Sequence, residues 1–307
     1  MIKIFGHKIP DTDCVVSAIT YAWYLSNIKQ RPATAHILGN LNKETKYVLN
    51  YFGFNTPEIL KEISNKDEII IVDTNNPDEL LENIHEAKLI EIIDHHQLKG
   101  SISTPTPISV MMRPMASTAS LIYTLINPEL HRITKEIAGI MLSGIISDTL
   151  EFRSPTTTKE DKEIAEALAK IAQIDIHELA SEMFKAKSEI SDLSVEEIIL
   201  MDSKIFQIGS NKLRISVAET TNPQAILDRK VEIKESLIKH TKDNALSDTL
   251  FFIIDILNKV ATSITYNDTT INLIKKAFGV EVNNNLAVLP GIVSRKKQII
   301  PKIESII

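Results

Sequence analysis

Hydrophobic positions in the first part of the chain alternate between short continuous runs and helical repeats. Four short apolar runs predict buried β-strands, at residues 2–5, 33–37, 68–72 and 89–93. Three stretches with apolar residues at helical spacing predict helices, over residues 15–23, 42–52 and 78–87. Asp13 is placed to cap the first of these helices. Strands that alternate with helices of this length indicate an α/β domain, with a parallel sheet that has helices on both faces.

The pattern continues to residue 187 and then changes. One more strand is predicted at residues 108–112, and helices are predicted over residues 117–127, 133–147, 158–172 and 175–187. After a polar stretch, strand pairs are predicted at 204–208 with 213–218 and at 250–257 with 261–266, and helices at 224–240 and 269–278. The sequence therefore predicts two domains, residues 1–187 and a smaller α/β domain at 194–307, joined by a linker at 188–193.

Composition narrows the class of protein. The chain has 307 residues, of which 43% are hydrophobic, and this is enough to build a sizeable core. One cysteine provides no disulfide framework, and no apolar run approaches the roughly 20 residues of a membrane span. The chain enters its first strand without a leader pattern. We therefore expect a cytoplasmic protein that does not bind a membrane.

Charge is divided unevenly along the chain. Residues 1–193 carry 19 basic and 27 acidic side chains, whereas residues 194–307 carry 15 and 13. An acidic domain that binds cations and a more basic domain that binds phosphate would fit a substrate held by both. The net charge of −6, without a basic stripe, argues against nucleic acid as a partner.

Polar side chains follow three of the predicted strands. They are His7, Asp11 and Asp13 after the first strand, Asp73 after the third, and Asp94, His95 and His96 after the fourth. Because ligands bind beyond the carboxyl ends of parallel strands, we expect these side chains to lie along one edge of one sheet. Asp148 ends a largely apolar predicted helix, where a carboxylate is costly unless it is paired, capped or bound to a metal.

Carboxylate and imidazole groups in this number suit a metal site. Together they are typical ligands of Mn²⁺, Co²⁺, Fe²⁺ or Zn²⁺, and clustered carboxylates favour more than one ion. A pair of ions can hold the attacking and leaving oxygens of a phosphoryl displacement. The residues therefore predict a dinuclear metal hydrolase.

Six stretches of the sequence resemble the DHH phosphoesterase superfamily and, within it, the family II, manganese-dependent inorganic pyrophosphatases. They are Gly-His-Lys-Ile-Pro-Asp-Thr-Asp at 6–13, Val-Asp-Thr-Asn at 72–75, Asp-His-His at 94–96, Met-Arg-Pro at 112–114 with Ser-Thr at 117–118, Ser-Gly-Ile-Ile-Ser-Asp-Thr at 143–149, and Ser-Arg-Lys-Lys-Gln at 294–298. The last stretch separates pyrophosphatases from other members of the superfamily. The resemblance extends over both predicted domains and identifies the second as similar to a DHHA2 domain.

The resemblance implies a site and a reaction. It implies two Mn²⁺ or Co²⁺ ions per chain, bridged by Asp73 and held by the set His7, Asp11, Asp13, Asp73, His95 and Asp148. It implies that His96 faces the substrate as a general acid or hydrogen-bond donor. Phosphates would be bound by second-domain cations, namely Lys204, Arg295 and Lys296. The implied reaction is hydrolysis of pyrophosphate by a metal-activated water between the domains, with Mg²⁺ arriving with the substrate, in a homodimer formed through the first domain.

Two other functions remain open from the residues. A DHH-type phosphodiesterase or exonuclease, acting on short oligonucleotides or cyclic dinucleotides, would use the same metal cluster. Those relatives carry a Gly-Gly-rich, histidine-containing motif in the second domain, but none of the nine glycines here is adjacent to another. Aromatic residues are 5% of the chain, which leaves few platforms for base stacking. A non-enzymatic scaffold would require a lost ligand, and all the expected ligands are present.

Overall fold

Strands in the computed structural model of the protein form two sheets, one in each of two units. The structure describes residues 1–100 and 102–306, and they divide into a first unit, Met1–Ala186, and a second unit, Lys187–Ile307. Strands among the described residues are β1 (Ile2–Phe5), β2 (Ala33–Ile37), β3 (Glu58–Ile59), β4 (Glu68–Val72), β5 (Lys88–Asp94), β6 (Ser109–Met112), β7 (Asp202–Ile208), β8 (Asn211–Thr220), β9 (Asp248–Asp255), β10 (Val260–Ile264) and β11 (Leu286–Pro290). Helices in the same part of the chain are α1 (Thr12–Asn27), α2 (Lys43–Tyr51), α3 (Thr118–Ile126), α4 (Lys135–Thr149), α5 (Lys159–Ala172), α6 (Ile176–Lys187), α7 (Val195–Leu200), α8 (Pro223–Leu227), α9 (Lys230–Asp243), α10 (Asp268–Phe278) and α11 (Ile300–Glu304).

The sheet of the first unit is parallel throughout, as the sequence predicts. Its strand order is β3-β2-β1-β4-β5-β6, and every neighbouring pair runs in the same direction. Phe5, Ile69 and Ile71 lie on one face and pack against Leu60 and Leu80. Helix α1 packs along β1 and β2, and α3 packs along β5. The carboxyl ends of β1, β4 and β5 therefore meet at one edge, which places the residues that follow them close together.

The predicted helix over residues 78–87 is wrong. The chain there forms two short 3₁₀ turns, Pro77–Glu79 and Ile84–Glu86. Leu80 lies fully buried between them, and the Asn83 side chain donates a hydrogen bond to the carbonyl of Ile63 at 2.7 Å. The apolar residues in this stretch are spaced as in a helix, but burial of Leu80 and the side-chain contact to another loop hold the chain in separate turns.

The cap of α1 is also different from the prediction. Asp11 is the N-cap residue, and its Oδ1 accepts a hydrogen bond from the backbone N–H of Cys14 at 3.0 Å. Asp13 lies in the first turn of the helix and is fully buried. The sequence does not distinguish these two aspartates, because either one could precede the first helical turn. The difference leaves the Asp13 carboxylate available to the site described below.

The second unit is built on a mixed sheet with strand order β11-β10-β9-β8-β7. The two predicted strand pairs are confirmed as the antiparallel pairs β7–β8 and β9–β10, whereas β8 and β9 run parallel. Every residue of β9 is buried, because Phe252 and Ile254 belong to the core on one face and Phe251 and Ile253 to the core on the other. The sequence of a central strand that is covered on both faces is typically a continuous run of hydrophobic residues.

Several elements of the second unit differ from the prediction. The helix predicted over residues 224–240 is two helices, α8 and α9, and strand β11 and helices α7 and α11 were not predicted. Residues Arg295–Ile299 form one π-helical turn. Ile190, from the predicted linker, packs in the core of the second unit. None of the helices in the described part of the chain combines the length and apolar composition that a bilayer span requires.

Candidate metal centre

Asp73 lies at the centre of the residues that follow the strands of the first unit. Its side chain is 1% exposed, and its Oδ2 lies 3.3 Å from Nε2 of His7. Its Oδ1 lies 3.4 Å from Nε2 of His95 and 3.9 Å from Nδ1 of His96. His7 follows β1, Asp73 follows β4, and the two neighbouring histidines follow β5. The parallel sheet thus brings together residues that are far apart in the sequence.

The backbone of Asp73 is held in an unusual conformation. Its φ is 62°, in the left-handed region that residues other than glycine rarely occupy. Its N–H donates to the carbonyl of Ile93 at 2.9 Å, and Thr118 Oγ1 donates to its Oδ1 at 2.9 Å. Such strain persists where surrounding contacts enforce it, and it is concentrated at functional sites.

Asp13 is anchored by the N-terminus of α3. Its two carboxylate oxygens accept hydrogen bonds from the backbone N–H groups of Thr118, at 2.6 Å, and Ala119, at 3.0 Å. The positive end of the helix dipole stabilises a carboxylate in this position. Burial and the neighbouring Asp73 nevertheless raise the pKa of Asp13 well above its usual range. A cation at this point would stabilise the ionised form.

His95 is oriented by a backbone carbonyl. Its Nδ1 lies 3.1 Å from the carbonyl oxygen of Met115, which can only accept, so Nδ1 carries the proton. The other ring nitrogen, Nε2, is buried and lies 3.4 Å from Oδ1 of Asp73 and 3.5 Å from Oδ2 of Asp148. A histidine that donates one N–H to a carbonyl and turns its other nitrogen toward carboxylates has the orientation of a metal ligand.

His96 is held by a second aspartate. Its backbone N–H and its Nδ1 both contact Oδ1 of buried Asp94, at 3.1 and 2.9 Å. The hydrogen bond with Asp94 raises the pKa of His96. The His96 side chain is 54% exposed, and its contact with Asp94 is made through Nδ1, which leaves Nε2 as the ring nitrogen that could contact a ligand. Asp94 also accepts a hydrogen bond from Asn75, and neither the Asp94–His96 contact nor the Asn75 contact was predicted from the sequence.

The histidines partly balance the negative charge of the site. Burial alone would lower the pKa of His7, but the hydrogen bond and charge of Asp73 outweigh it and raise the pKa to about 8. For the same reasons, together with the charge of Asp13, the pKa of His95 rises to about 9. The two histidines in turn lower the pKa of Asp73 despite its burial. The positive charge of protonated His7 and His95 thus offsets part of the negative charge that a bound cation would offset.

The donor atoms fit divalent transition ions. Those of Asp13, Asp73, His95 and Asp148 lie within 4.8 Å of one another, as do those of Asp73, His95 and His96. The remaining set adds His7 and Cys14 to Asp73. Oxygen and imidazole donors suit ions such as Mn²⁺, and Asp73 belongs to all three sets. The predicted ligand Asp11 also lies here, with its Oδ1 3.9 Å from Nε2 of His7.

The predicted phosphate-binding residues lie in the second unit. Arg295 donates from Nη1 to the carbonyl of Asp202 at 2.8 Å, and its Nη2 lies 2.8 Å from Oδ1 of the same residue. Asp202 and Lys204 are on the same edge strand, β7, so the structure brings Arg295 to the strand that carries Lys204. Lys296 is exposed in the π-helical turn. The role of Asp202 in holding Arg295 was not predicted, because these residues are far apart in the sequence.

Comparison with known proteins agrees with these features. Residues 1–145 match the N-terminal domain of the DHH family, and residues 181–306 match the DHHA2 domain. A protein of Clostridium acetobutylicum named probable manganese-dependent inorganic pyrophosphatase is 39% identical over 307 residues, which cover 100% of this chain and 98% of that protein. A protein of Staphylococcus carnosus with the same name is also 39% identical, over 98% of this chain and 97% of its own length.

Two solved structures are similar to this chain. A Methanococcus jannaschii protein, proposed to be a family II inorganic pyrophosphatase, superposes with a TM-score of 0.64 at 36% identity and covers 99% of both chains. An exopolyphosphatase-related protein from Bacteroides fragilis has a TM-score of 0.54 at 16% identity, over 99% of this chain and 92% of that one. The second similarity shows a shared fold.

Proposed function

Because this chain belongs to the family of manganese-dependent, family II inorganic pyrophosphatases, we propose that it hydrolyses pyrophosphate to two phosphates at a pair of transition-metal ions in its first unit. The observation that carries this proposal is the position of Asp73. Its two carboxylate oxygens face different histidines, with Oδ2 3.3 Å from His7 and Oδ1 3.4 Å from His95. One carboxylate can therefore serve two ions.

Six residues would hold the two ions. They are His7, Asp11, Asp13, Asp73, His95 and Asp148, and we propose Mn²⁺ or Co²⁺ as the ions, with Mg²⁺ bound to the substrate. When bound, a pair of such ions supplies positive charge and lowers the pKa of a coordinated water toward neutrality. Phosphoryl transfer depends mainly on positioning and charge neutralisation, so the remaining task of the protein is to hold the substrate.

His96 is the group placed to act on the substrate itself. Asp94 binds its Nδ1, at 2.9 Å, and this fixes the ring so that the accessible Nε2 is the working atom. The raised pKa favours the protonated ring, which can donate a hydrogen bond or a proton to the departing phosphate. Lys204, Arg295 and Lys296 are proposed to neutralise the charge that spreads over the phosphate oxygens.

The quaternary structure proposed with this function is a homodimer through the first unit. Strand β6 is at the end of the parallel sheet, and Val110 on it is 54% exposed. An edge strand with unpaired backbone groups can pair with its copy across a two-fold axis. Light scattering at micromolar concentration should give the mass of a dimer, and the mass of a monomer would rule this pairing out.

Phosphate release is the assay that tests the proposed reaction. Metal-free protein is supplied with Mn²⁺, Co²⁺ or Mg²⁺, and phosphate release is measured with pyrophosphate as the substrate. Cleavage of a dinucleotide or a bis-aryl phosphodiester is followed by the release of mononucleotide or phenol, because hydrolysis of a diester frees no inorganic phosphate. We expect fast release from pyrophosphate with Mn²⁺ or Co²⁺, and much slower cleavage of both diesters. Comparable rates on the dinucleotide would assign the chain to the phosphodiesterases instead.

A further inference from the structure

Glu44 is a buried carboxylate outside the proposed ligand set. It lies near the start of α2, and its relative exposure is 0%. Its Oε2 accepts hydrogen bonds from two hydroxyl groups, Thr12 Oγ1 at 2.9 Å and Ser147 Oγ at 2.7 Å. These two hydroxyls belong to different helices, α1 and α4. One carboxylate therefore links the start of α1 to the end of α4. We call this pair of hydrogen bonds, from Thr12 and Ser147 to Glu44, the tie.

Both hydroxyls are next to proposed metal ligands. Thr12 lies between Asp11 and Asp13, and Ser147 directly precedes Asp148. The backbone leaves little freedom between adjacent residues, so a hydrogen bond that fixes Thr12 also fixes its neighbours. The tie through Glu44 consequently constrains two ligand segments that are more than one hundred residues apart in the sequence.

The environment of Glu44 indicates that these hydrogen bonds have a role beyond packing. Thr12 and Glu44 are fully buried, and Ser147 is 5% exposed. Burial of a carboxylate is costly, and hydrocarbon side chains of similar size would pack the same position without that cost. Short hydrogen bonds from hydroxyls to a carboxylate are strong and directional, and they fix the separation and rotation of the two helices.

The tie acts on one ligand group more than on the others. Asp13 and Asp148 belong to the same group, with Asp73 and His95, and their donor atoms lie within 4.8 Å of one another. This group joins α1 to α4. The other group of donors contains His7 and Asp73, which follow β1 and β4 and belong to neither helix. Loosening the contact between the two helices should therefore open the first group and leave the second in place.

We infer that Glu44 is a positioning residue, which holds Asp13 and Asp148 at ligating distance and so keeps the second of two ions bound. The inference rests on the proposed function, because it assumes a site for two ions. It adds a role for a residue that is neither a proposed metal ligand nor a proposed substrate-binding residue. Partners that orient ligands in this way usually affect metal affinity by about 10- to 100-fold.

Three substitutions remove the tie by different routes. Ser147→Ala and Thr12→Val each delete one hydroxyl, and Glu44→Met deletes the acceptor. The matched control is Ser143→Ala, because Ser143 is a buried hydroxyl one turn earlier on α4 that donates to the carbonyl of Gly139. Glu44→Gln retains an amide oxygen that can accept both hydroxyls, so it should rescue what Glu44→Met loses.

Mn²⁺ binding to the metal-free proteins is measured by calorimetry and by electron paramagnetic resonance. Wild type, Ser143→Ala and Glu44→Gln should bind two ions and give the spectrum of a spin-coupled pair. Ser147→Ala and Thr12→Val should bind one ion as before and the other about 10- to 100-fold more weakly, with the six-line spectrum of isolated Mn²⁺ at one ion per chain. The single hydroxyl deletions keep the test valid if Glu44→Met does not fold.

The outcomes separate this inference from the proposed function. A wild-type protein that binds fewer than two ions overturns both. A wild-type protein with two ions, and Ser147→Ala and Thr12→Val variants that bind them equally well, overturns the role of Glu44 alone. An equal loss of the second ion in Ser143→Ala would show a general effect of α4 packing, and it would also overturn that role.

Discussion

At the scale of single residues, Asp73 is the residue on which the proposed metal site depends most. It combines burial, a left-handed backbone and contact with two histidines that come from different strands. The position after β4 was predictable from the apolar run that precedes it. The contact with Thr118 was not, because it depends on where α3 packs against the sheet.

Substitution of Asp73 by asparagine tests the shared ligand. Asn has nearly the same shape but lacks the charge and one of the two oxygens, so it cannot serve two cations. We expect Asp73→Asn to lose most pyrophosphatase activity and to retain less metal, as measured by elemental analysis after dialysis. Full Mn²⁺ occupancy with normal turnover would show that Asp73 is not the bridge.

The histidines make metal binding depend on pH. In the metal-free protein the pKa of His7 is raised from 6.5 to about 8, and that of His95 from 6.5 to about 9. Metal ligation requires neutral imidazole, so Mn²⁺ must displace these protons. Affinity should increase as the pH rises from 6.5 to 9, and calorimetry in buffers of different ionisation enthalpy should detect proton release on binding.

The stability of the metal-free protein and the stabilisation added by metal should change with pH in opposite directions. A pKa raised by folding stabilises the folded state at low pH, and that stabilisation is lost as the pH rises through the folded pKa. The metal-free protein should therefore unfold at a lower temperature at pH 9 than at pH 6.5, whereas the stabilisation added by Mn²⁺ should grow over the same range. Parallel thermal scans check this, and a metal-free protein that becomes more stable toward pH 9 would contradict it.

Helix α4 approaches the Asp13 carboxylate closely at Gly144. A Cβ at Gly144 would lie 2.7 Å from Oδ1 of Asp13 and 2.8 Å from Cγ2 of Val16. Alanine normally stabilises a helix relative to glycine by about 1 kcal/mol, but here it would push against a proposed ligand. The glycine therefore permits the close approach of α4 to the carboxylate.

Gly144→Ala should weaken Mn²⁺ binding by about 10-fold or more, because Asp13 must move to admit the methyl group. The matched control is Gly139→Ala on the same helix, where a Cβ would meet the ring of Phe52 instead. That control should lower stability by about 1–3 kcal/mol, as overpacking does, with unchanged metal affinity. Calorimetry on both variants makes the comparison, and equal affinities would place the Asp13 contact outside the metal site.

Helices and strands were predicted best where the local sequence alone determines the structure. The buried runs of β1, β4 and β5 are continuous and are followed directly by polar residues, so their ends and the residues beyond them could be placed. Residues 78–87 have an apolar spacing that fits a helix, but burial of Leu80 and the contact between Asn83 and Ile63 decide the structure. The anchoring of Asp13 by α3 joins residues 105 positions apart, and no local pattern contains it.

At the scale of the whole molecule, the proposed roles are divided between the two units. The proposed metal ligands belong to the first unit, and the proposed phosphate-binding cations belong to the second. The sequence predicted this division from motifs and from the distribution of charge. It did not predict that Asp202 holds the guanidinium of Arg295, because that contact depends on the packing of the π-helical turn against β7.

Substitutions in the two units should have separable effects. Arg295→Ala or Lys296→Ala should raise KM and lower kcat, with a loss in kcat/KM of about 100-fold, because a charge that stabilises the phosphate oxygens is removed. Both should bind Mn²⁺ normally, whereas His95→Ala should bind it weakly. Lys297→Ala, an exposed neighbour in the same turn, is the control and should have near wild-type kinetics. Loss of metal in Arg295→Ala would contradict the division.

One aspartate, Asp73, is proposed to join two metal ions at the edge of the parallel sheet. Diffraction from crystals of the Mn²⁺-loaded protein with a non-hydrolysable pyrophosphate analogue, recorded at the manganese absorption edge, locates the ions directly. We predict two anomalous peaks per chain, on either side of the Asp73 carboxylate, with the analogue in contact with both. A single peak, or a pair of peaks that Asp73 does not bridge, would contradict the account.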